Sequence, residues 1–289
     1  MKPEVIMPPI VDTEQVAAVW PETHPGTDPV LYGHVDLQPR GRFEVRSAHS
    51  FTLTYTAGRY GLDDTGSIRV VFRYVGDWGS LQTTHPQGHG YVTARTSGPG
   101  RVALVFDKTG HQRPYFQSLT ARLHGGFLRE GDTITIVFGD TSRGSPGMKL
   151  QTFCESAFEF KLLADVCAVG HYVPLPETPA ISIVPGAPVV WRAVLPTLRR
   201  PGERFQLGIK AEDRWGNPSD RASAQLRLVP TLPVEGLPER LDYPLGEKAL
   251  VVDDLEAERE GMLWIRVLEG NTCVAEAGPL LIREGPHSG

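Results

Sequence analysis

The sequence predicts an all-β protein: two β-sandwich domains in tandem, the second immunoglobulin-like. Glycine (31) and proline (25) are spread as punctuation between short apolar runs rather than gathered into low-complexity tracts. The runs themselves alternate apolar and polar residues at the period of a strand, as in TITIVF, residues 133–138. No amphipathic pattern runs longer than two helical turns.

Composition bounds the rest. A chain of 289 residues, 40% hydrophobic and 22% charged, is long enough for two modest cores. With 29 Lys plus Arg against 34 Asp plus Glu, the formal charge is -5 and no basic run is sustained, which argues against a nucleic-acid partner. No stretch approaches the roughly 18 to 20 apolar residues of a membrane span. The N-terminus carries prolines and acids where a signal peptide would have its apolar region, so a cytoplasmic protein is expected. Cys154, Cys167 and Cys273 show no CxxC spacing, which speaks against a disulfide framework or a zinc cluster and fits a reducing compartment.

In chain order, residues 1–29 are proline-rich with little periodicity and read as an arm over the first domain. From Arg42 the strand signals become regular: RFEVRS, SFTLTYTA, SIRVVFRYV, YVTART, RVALVFD, YFQSLTARL and ITIVFGD, each bounded by Gly, Asp, Pro or Ser. These place a β-sandwich with long loops over residues 30–173. A boundary follows, where Pro174, Pro176, Pro179, Pro185 and Pro188 imply a stiff, extended linker. Short strands then return through PVVWRAVLP, RFQLGIKAED, SAQLRLVP, KALVVDDL, MLWIRVLEG and TCVAEAGPLLIRE. Residues 174–289 therefore read as the immunoglobulin-like domain, with AEDRWGNPSD as a tight turn.

YGLDDTGSIRVVFRYVGDWGSLQ, GDTSRGSPGMKLQTFCESAFEF and AEDRWGNP resemble the N-terminal region of a large bacterial family labelled domain of unknown function 3604. The resemblance covers residues 55–219. It implies a pair of β-sandwiches with characteristic loops, placed ahead of a PHP-like, metal-dependent hydrolase domain. The histidine-rich DLH-type motif of that hydrolase does not occur here, so its metal chemistry is not carried over. A fragment of a longer protein is one reading of this.

Ionisable and polar residues concentrate in the loops of the first domain. Asp77 and Trp78 in VGDWGS, and His85, His89 and Tyr91 in TTHPQGHGYV, fall within one long loop. Two histidines four apart have metal-ligand spacing, but the interrupting Pro and Gly remove the helical geometry that spacing needs, so no metal is assigned. DKTGHQRPYF brings His111, Arg113 and Tyr115, where Arg would hold a carboxylate, Tyr would donate and His would move a proton. The loop after TITIVF adds Asp140, Ser142 and Arg143, but lacks the GK[ST] ending of a phosphate-binding loop. Beside Glu155, Cys154 reads as a buried structural thiol rather than an activated one. Solvent-facing turn residues are the alternative reading for each of these loops.

Two functional readings follow. In the first, the protein binds a small molecule, an aromatic or anionic carboxylate, or docks a partner enzyme. Asp77, Trp78, Tyr91, Arg113, Asp140, Ser142 and Arg143 would then be the ligand-binding residues. In the second, it is a standalone enzyme without cofactor, a lyase, decarboxylase or hydrolase using His85, His89, His111 and Tyr115 as acid–base residues. Homo-oligomerisation is compatible with both. The deciding feature is whether the loops around His89, Arg113 and Arg143 converge.

Overall fold

The computed structural model describes residues 28–73 and 75–285; the N-terminal arm expected over residues 1–29 lies almost wholly outside them. The chain is all-β and forms two units. Residues 1–151 and 156–182 make up the first, and residues 152–155 and 183–289 the second. The proline-rich stretch expected to be a linker thus contributes strands to the first unit up to Ser182. Among the described residues, no helix is long and apolar enough to cross a membrane.

The first unit contains a short helix α1 (Pro29–Tyr32) and strands β1 (His34–Gln38), β2 (Arg42–Glu44), β3 (Ala48–His49), β4 (Phe51–Thr56), β5 (Ser67–Arg73), β6 (Val92–Thr96) and β7 (Arg101–Asp107). It continues with β8 (Tyr115–His124), β9 (Thr133–Phe138), β10 (Met148–Lys149), β11 (Glu155–Glu159), β12 (Lys161–Asp165), β13 (Val173–Pro174) and β14 (Ala180–Val184). Two sheets form the sandwich: β1-β4-β9-β6 and β13-β12-β5-β8-β7. A two-stranded sheet, β10-β3, and a three-stranded sheet, β11-β14-β2, complete the pairing.

Strand period and register build the core. In the first sheet Leu37, Leu53 and Ile136 are cross-strand neighbours, as are Val35, Tyr55 and Ile134, and all are buried. In the second sheet Leu162, Val70 and Leu119 form one inward row, and Ala164, Ile68 and Ala121 the next. Phe51, Phe72, Phe138 and Phe160 fill the space between, with ring centres 5.3 to 5.9 Å apart in edge-on or tilted contacts.

The same period dictates what faces outward on β12, β5, β8 and β7. One outer row runs Leu163, Arg69, Thr120 and Val105, and its neighbour runs Asp165, Ser67, Arg122 and Ala103. This outer face carries the candidate site.

The second unit contains β15 (Val190–Val194), β16 (Leu198–Arg199), β17 (Phe205–Glu212), β18 (Ala224–Pro230), β19 (Arg240–Tyr243), β20 (Leu250–Leu255), β21 (Gly261–Glu269) and β22 (Thr272–Ile282). Sheets β15-β17-β20 and β16-β22-β21-β18-β19 enclose a core of Leu207, Ile209, Leu228, Leu263, Ile265 and Leu280. This is the immunoglobulin-like sandwich the sequence predicts. Trp191 packs edge-on against Tyr243, ring centres 4.9 Å apart.

Candidate functional site

Two of the loops singled out by sequence are joined by hydrogen bonds. Residues 84–91 and 139–147 meet: Ser145 Oγ donates to the Gly88 carbonyl at 2.7 Å, Gly90 N–H to Gly147, and Asp140 N–H to Tyr91. His85 and His89 are exposed there, and Gln82 shapes their turn. Its Oε1 accepts the His85 N–H at 2.7 Å, and its Nε2 donates to the carbonyls of His85 and His89. Asp140 caps a short 3-10 helix (Thr141–Arg143) by accepting Ser142 N–H, and also accepts the Thr93 hydroxyl. Burial alone would raise its pKa, but these hydrogen bonds hold it below the usual carboxylate value. Ser142 and Arg143 are exposed.

Trp78 and Tyr91 are buried. The Trp78 ring lies 4.8 Å from that of Phe72, so it completes the aromatic core instead of facing a ligand. Asp77 accepts from Arg46 through its carbonyl at 3.2 Å.

His111 and Arg113 lie on the connection into β8, and Tyr115 is the first residue of that strand. Tyr115 donates its hydroxyl to Glu159 at 2.7 Å, and Glu159 also accepts from Arg73 at 3.1 Å. Burial, with the Glu159 hydrogen bond, pushes the Tyr115 phenol up to about 12, unsuited to proton transfer near neutrality. His111 is partly buried, and burial followed by the positive charges of Arg69 and Lys161 keeps its imidazole neutral to lower pH than usual.

Cys154 is exposed, contrary to the buried thiol expected. Asn217 reaches into its segment, accepting Cys154 N–H at 3.1 Å and donating to the Thr152 carbonyl at 2.8 Å. Burial and then the charge of Asp213 raise the thiol pKa, which leaves it unactivated. His49 and Ser47 are 2.7 Å apart, but the Ser47 hydroxyl donates to the Glu44 carbonyl. His49 must therefore donate to Ser47, the reverse of what a nucleophilic serine needs.

The most developed site lies on the outer face of β5 and β8. Arg69 donates through Nε to Thr120 Oγ1 at 3.1 Å and through Nη1 to the Gly110 carbonyl at 3.3 Å, and its guanidinium carbon lies 3.8 Å from the ring centre of Tyr172. Tyr172 is hydrogen-bonded to Ser67 at 2.6 Å. Asp165 holds the adjoining turn by accepting Val169 and Gly170 N–H. Two hollows of about 360 and 350 Å³ open on either side and share Arg69 and Arg122. Tyr172, Thr65 and Asp165 complete the first, and Ser118, Thr120, His124 and Asp107 the second.

Arg122 is exposed and forms no ion pair or hydrogen bond with any described residue. The eleven residues singled out by sequence line neither hollow, although Gly110, next to His111, lines the second. The signal for Arg69 and Arg122 was present as charged residues alternating with apolar ones in SIRVVFR and LTARLH. Only strand register shows that they share a face. Among the described residues, no group of three or more His, Cys, Asp or Glu is placed to hold a metal ion.

No family model matches the chain, and a search of curated proteins finds no significant relative. Among solved structures it is similar to the Escherichia coli adhesin FdeC, at 13% identity and a TM-score of 0.33, covering 86% of this chain and 63% of that one. It is similar to the Yersinia pseudotuberculosis adhesin InvE at 10% identity and a TM-score of 0.26, covering 86% and 58%. The collagen adhesin of S. aureus matches at 9% identity and a TM-score of 0.20, covering 84% and 91%. The chain thus spans less than two thirds of the first two proteins, and likeness at this level identifies neither a ligand nor a partner.

Proposed function

We propose that the protein is a binding module whose first unit holds a small carboxylate between Arg69 and Arg122. One observation carries the reading: an exposed guanidinium without a partner among the described residues stands beside a second one already fixed in place, with hollows on both sides. A planar guanidinium fork matches a carboxylate in geometry and charge. Because Arg69 is held by Thr120, Gly110 and Tyr172, little of its rotamer freedom remains to be lost on binding. The Ser118 and Thr120 hydroxyls would select ligands carrying further polar groups.

Binding is favoured over catalysis because His85 and His89 line neither hollow, and Tyr115 is committed to Glu159. In the setting that the resemblance to the domain of unknown function 3604 implies, such a module would present its ligand to a partner enzyme. A thermal-shift screen with carboxylates ranging in size from acetate to citrate tests the reading, since a ligand of the native state raises Tm. A saturable rise that disappears in Arg122→Ala is expected. No rise with any carboxylate, or one indifferent to Arg122→Ala, contradicts it.

A further inference from the structure

The second unit carries a separate hollow of about 900 Å³ on the outer face of β15, β17 and β20. Gly208 lines it from the middle of the central strand, paired with Val194 on one side and Val251 on the other. A Cβ built on Gly208 would meet nothing within 4 Å. Its two neighbours are exposed valines, at 60% and 55%. A strand glycine flanked in this way leaves a bare peptide platform between two aliphatic walls, the surface on which a flat ring can lie.

Charge around the platform is unevenly spent. Arg204 is bound to both Asp254 and Glu256, at 3.2 and 3.0 Å. Arg199 pairs with Glu203 and donates to the carbonyls of Leu198 and Arg204. Asp253, which also lines the hollow, has no ion pair or hydrogen bond among the described residues. Its position follows from a bulge: β17 advances two residues, from Phe205 to Leu207, while β20 advances three, from Leu255 to Val252. The extra residue turns both Asp253 and Asp254 outward while returning Leu255 to the core, with Asp254 at φ 57°.

We propose that this face is a binding site for a small aromatic amine, its ring on the Gly208 peptide between Val194 and Val251 and its ammonium toward Asp253. The probe is tryptamine, titrated into the ¹⁵N-labelled full chain and followed by amide chemical shifts. Saturable shifts centred on Gly208, Val194 and Val251 are expected. Gly208→Val, which fills the platform with a strand-compatible side chain, should weaken binding at least about tenfold. Asp253→Asn should weaken it by roughly twofold to fivefold, the value of an exposed ion pair. Absence of shifts at these three positions, or binding unchanged in Gly208→Val, overturns the proposal. Arg122→Ala should leave tryptamine binding intact, so this site and the carboxylate site stand or fall independently.

Discussion

The guanidinium carbon of Arg69 lies 3.8 Å from the ring centre of Tyr172, whose hydroxyl is in turn hydrogen-bonded to Ser67. The tyrosine therefore orients the arginine from below while being tied to the same strand. Tyr172→Leu should cost about 1–2 kcal/mol in urea unfolding, from one lost cation–π contact and one lost hydrogen bond. It should also weaken carboxylate binding several-fold. Tyr172→Phe should keep the binding and lose only part of the stability.

Asp213 is nearly fully buried and accepts the N–H groups of Gly186, Trp215 and Asn217, together with the Asn217 side-chain amide. Asp213→Ala leaves these donors unsatisfied and should cost about 3 kcal/mol or more, measured by chemical denaturation. Burial alone would raise its pKa, but these bonds hold it below the usual value. A depressed carboxylate adds stability above its unfolded pKa, and that stability is lost as pH falls through the folded one. The Asp213→Ala variant should accordingly lose less Tm than the wild type between pH 5 and pH 3.

His49 and His111 shift in the opposite sense of proton affinity to a paired histidine. Burial lowers both below the ordinary 6.5, helped at His111 by Arg69 and Lys161. The unfolded chain then binds protons more readily, so stability is present above pH 6.5 and falls as pH drops through and below that value. Tm should fall between pH 7.5 and pH 5.5, and the fall should be smaller in a His49→Asn, His111→Asn double variant.

Gly139 opens the loop after β9 with φ +66°, and an added Cβ would run into the backbone nitrogen of Met148. Both features forbid a side chain. Gly139→Ala should destabilise by about 3 kcal/mol or more, read from the urea midpoint. Gly131, with φ +87° and open space around it, should lose only about 1 kcal/mol on the same change.

The fold was legible because alternation and turn residues survive in single strands. SFTLTYTA, RVALVFD and MLWIRVLEG all became strands where the pattern placed them. HVDLQ also alternates, but the proline-rich arm beside it obscures the pattern. AISIV forms β14, but the prolines on either side of it mask its strand pattern. The candidate site was far less legible. Loop residues such as His85 and Arg143 stand out in sequence, whereas Arg69 and Arg122 sit inside strands, and their proximity depends on pairing between segments some fifty residues apart. Trp78 shows the converse: it stands in a loop yet belongs to the core.

The most direct measurement is isothermal titration of a simple carboxylate that passes the thermal screen, into the wild type, Arg122→Ala and Arg143→Ala. Arg143 is exposed on a loop that lines neither hollow, so it controls for loss of a single surface charge. The account predicts unchanged affinity in Arg143→Ala and at least about tenfold weaker binding in Arg122→Ala, the loss of one charge-assisted pair. Equal affinity in all three proteins, or a loss confined to Arg143→Ala, would contradict it.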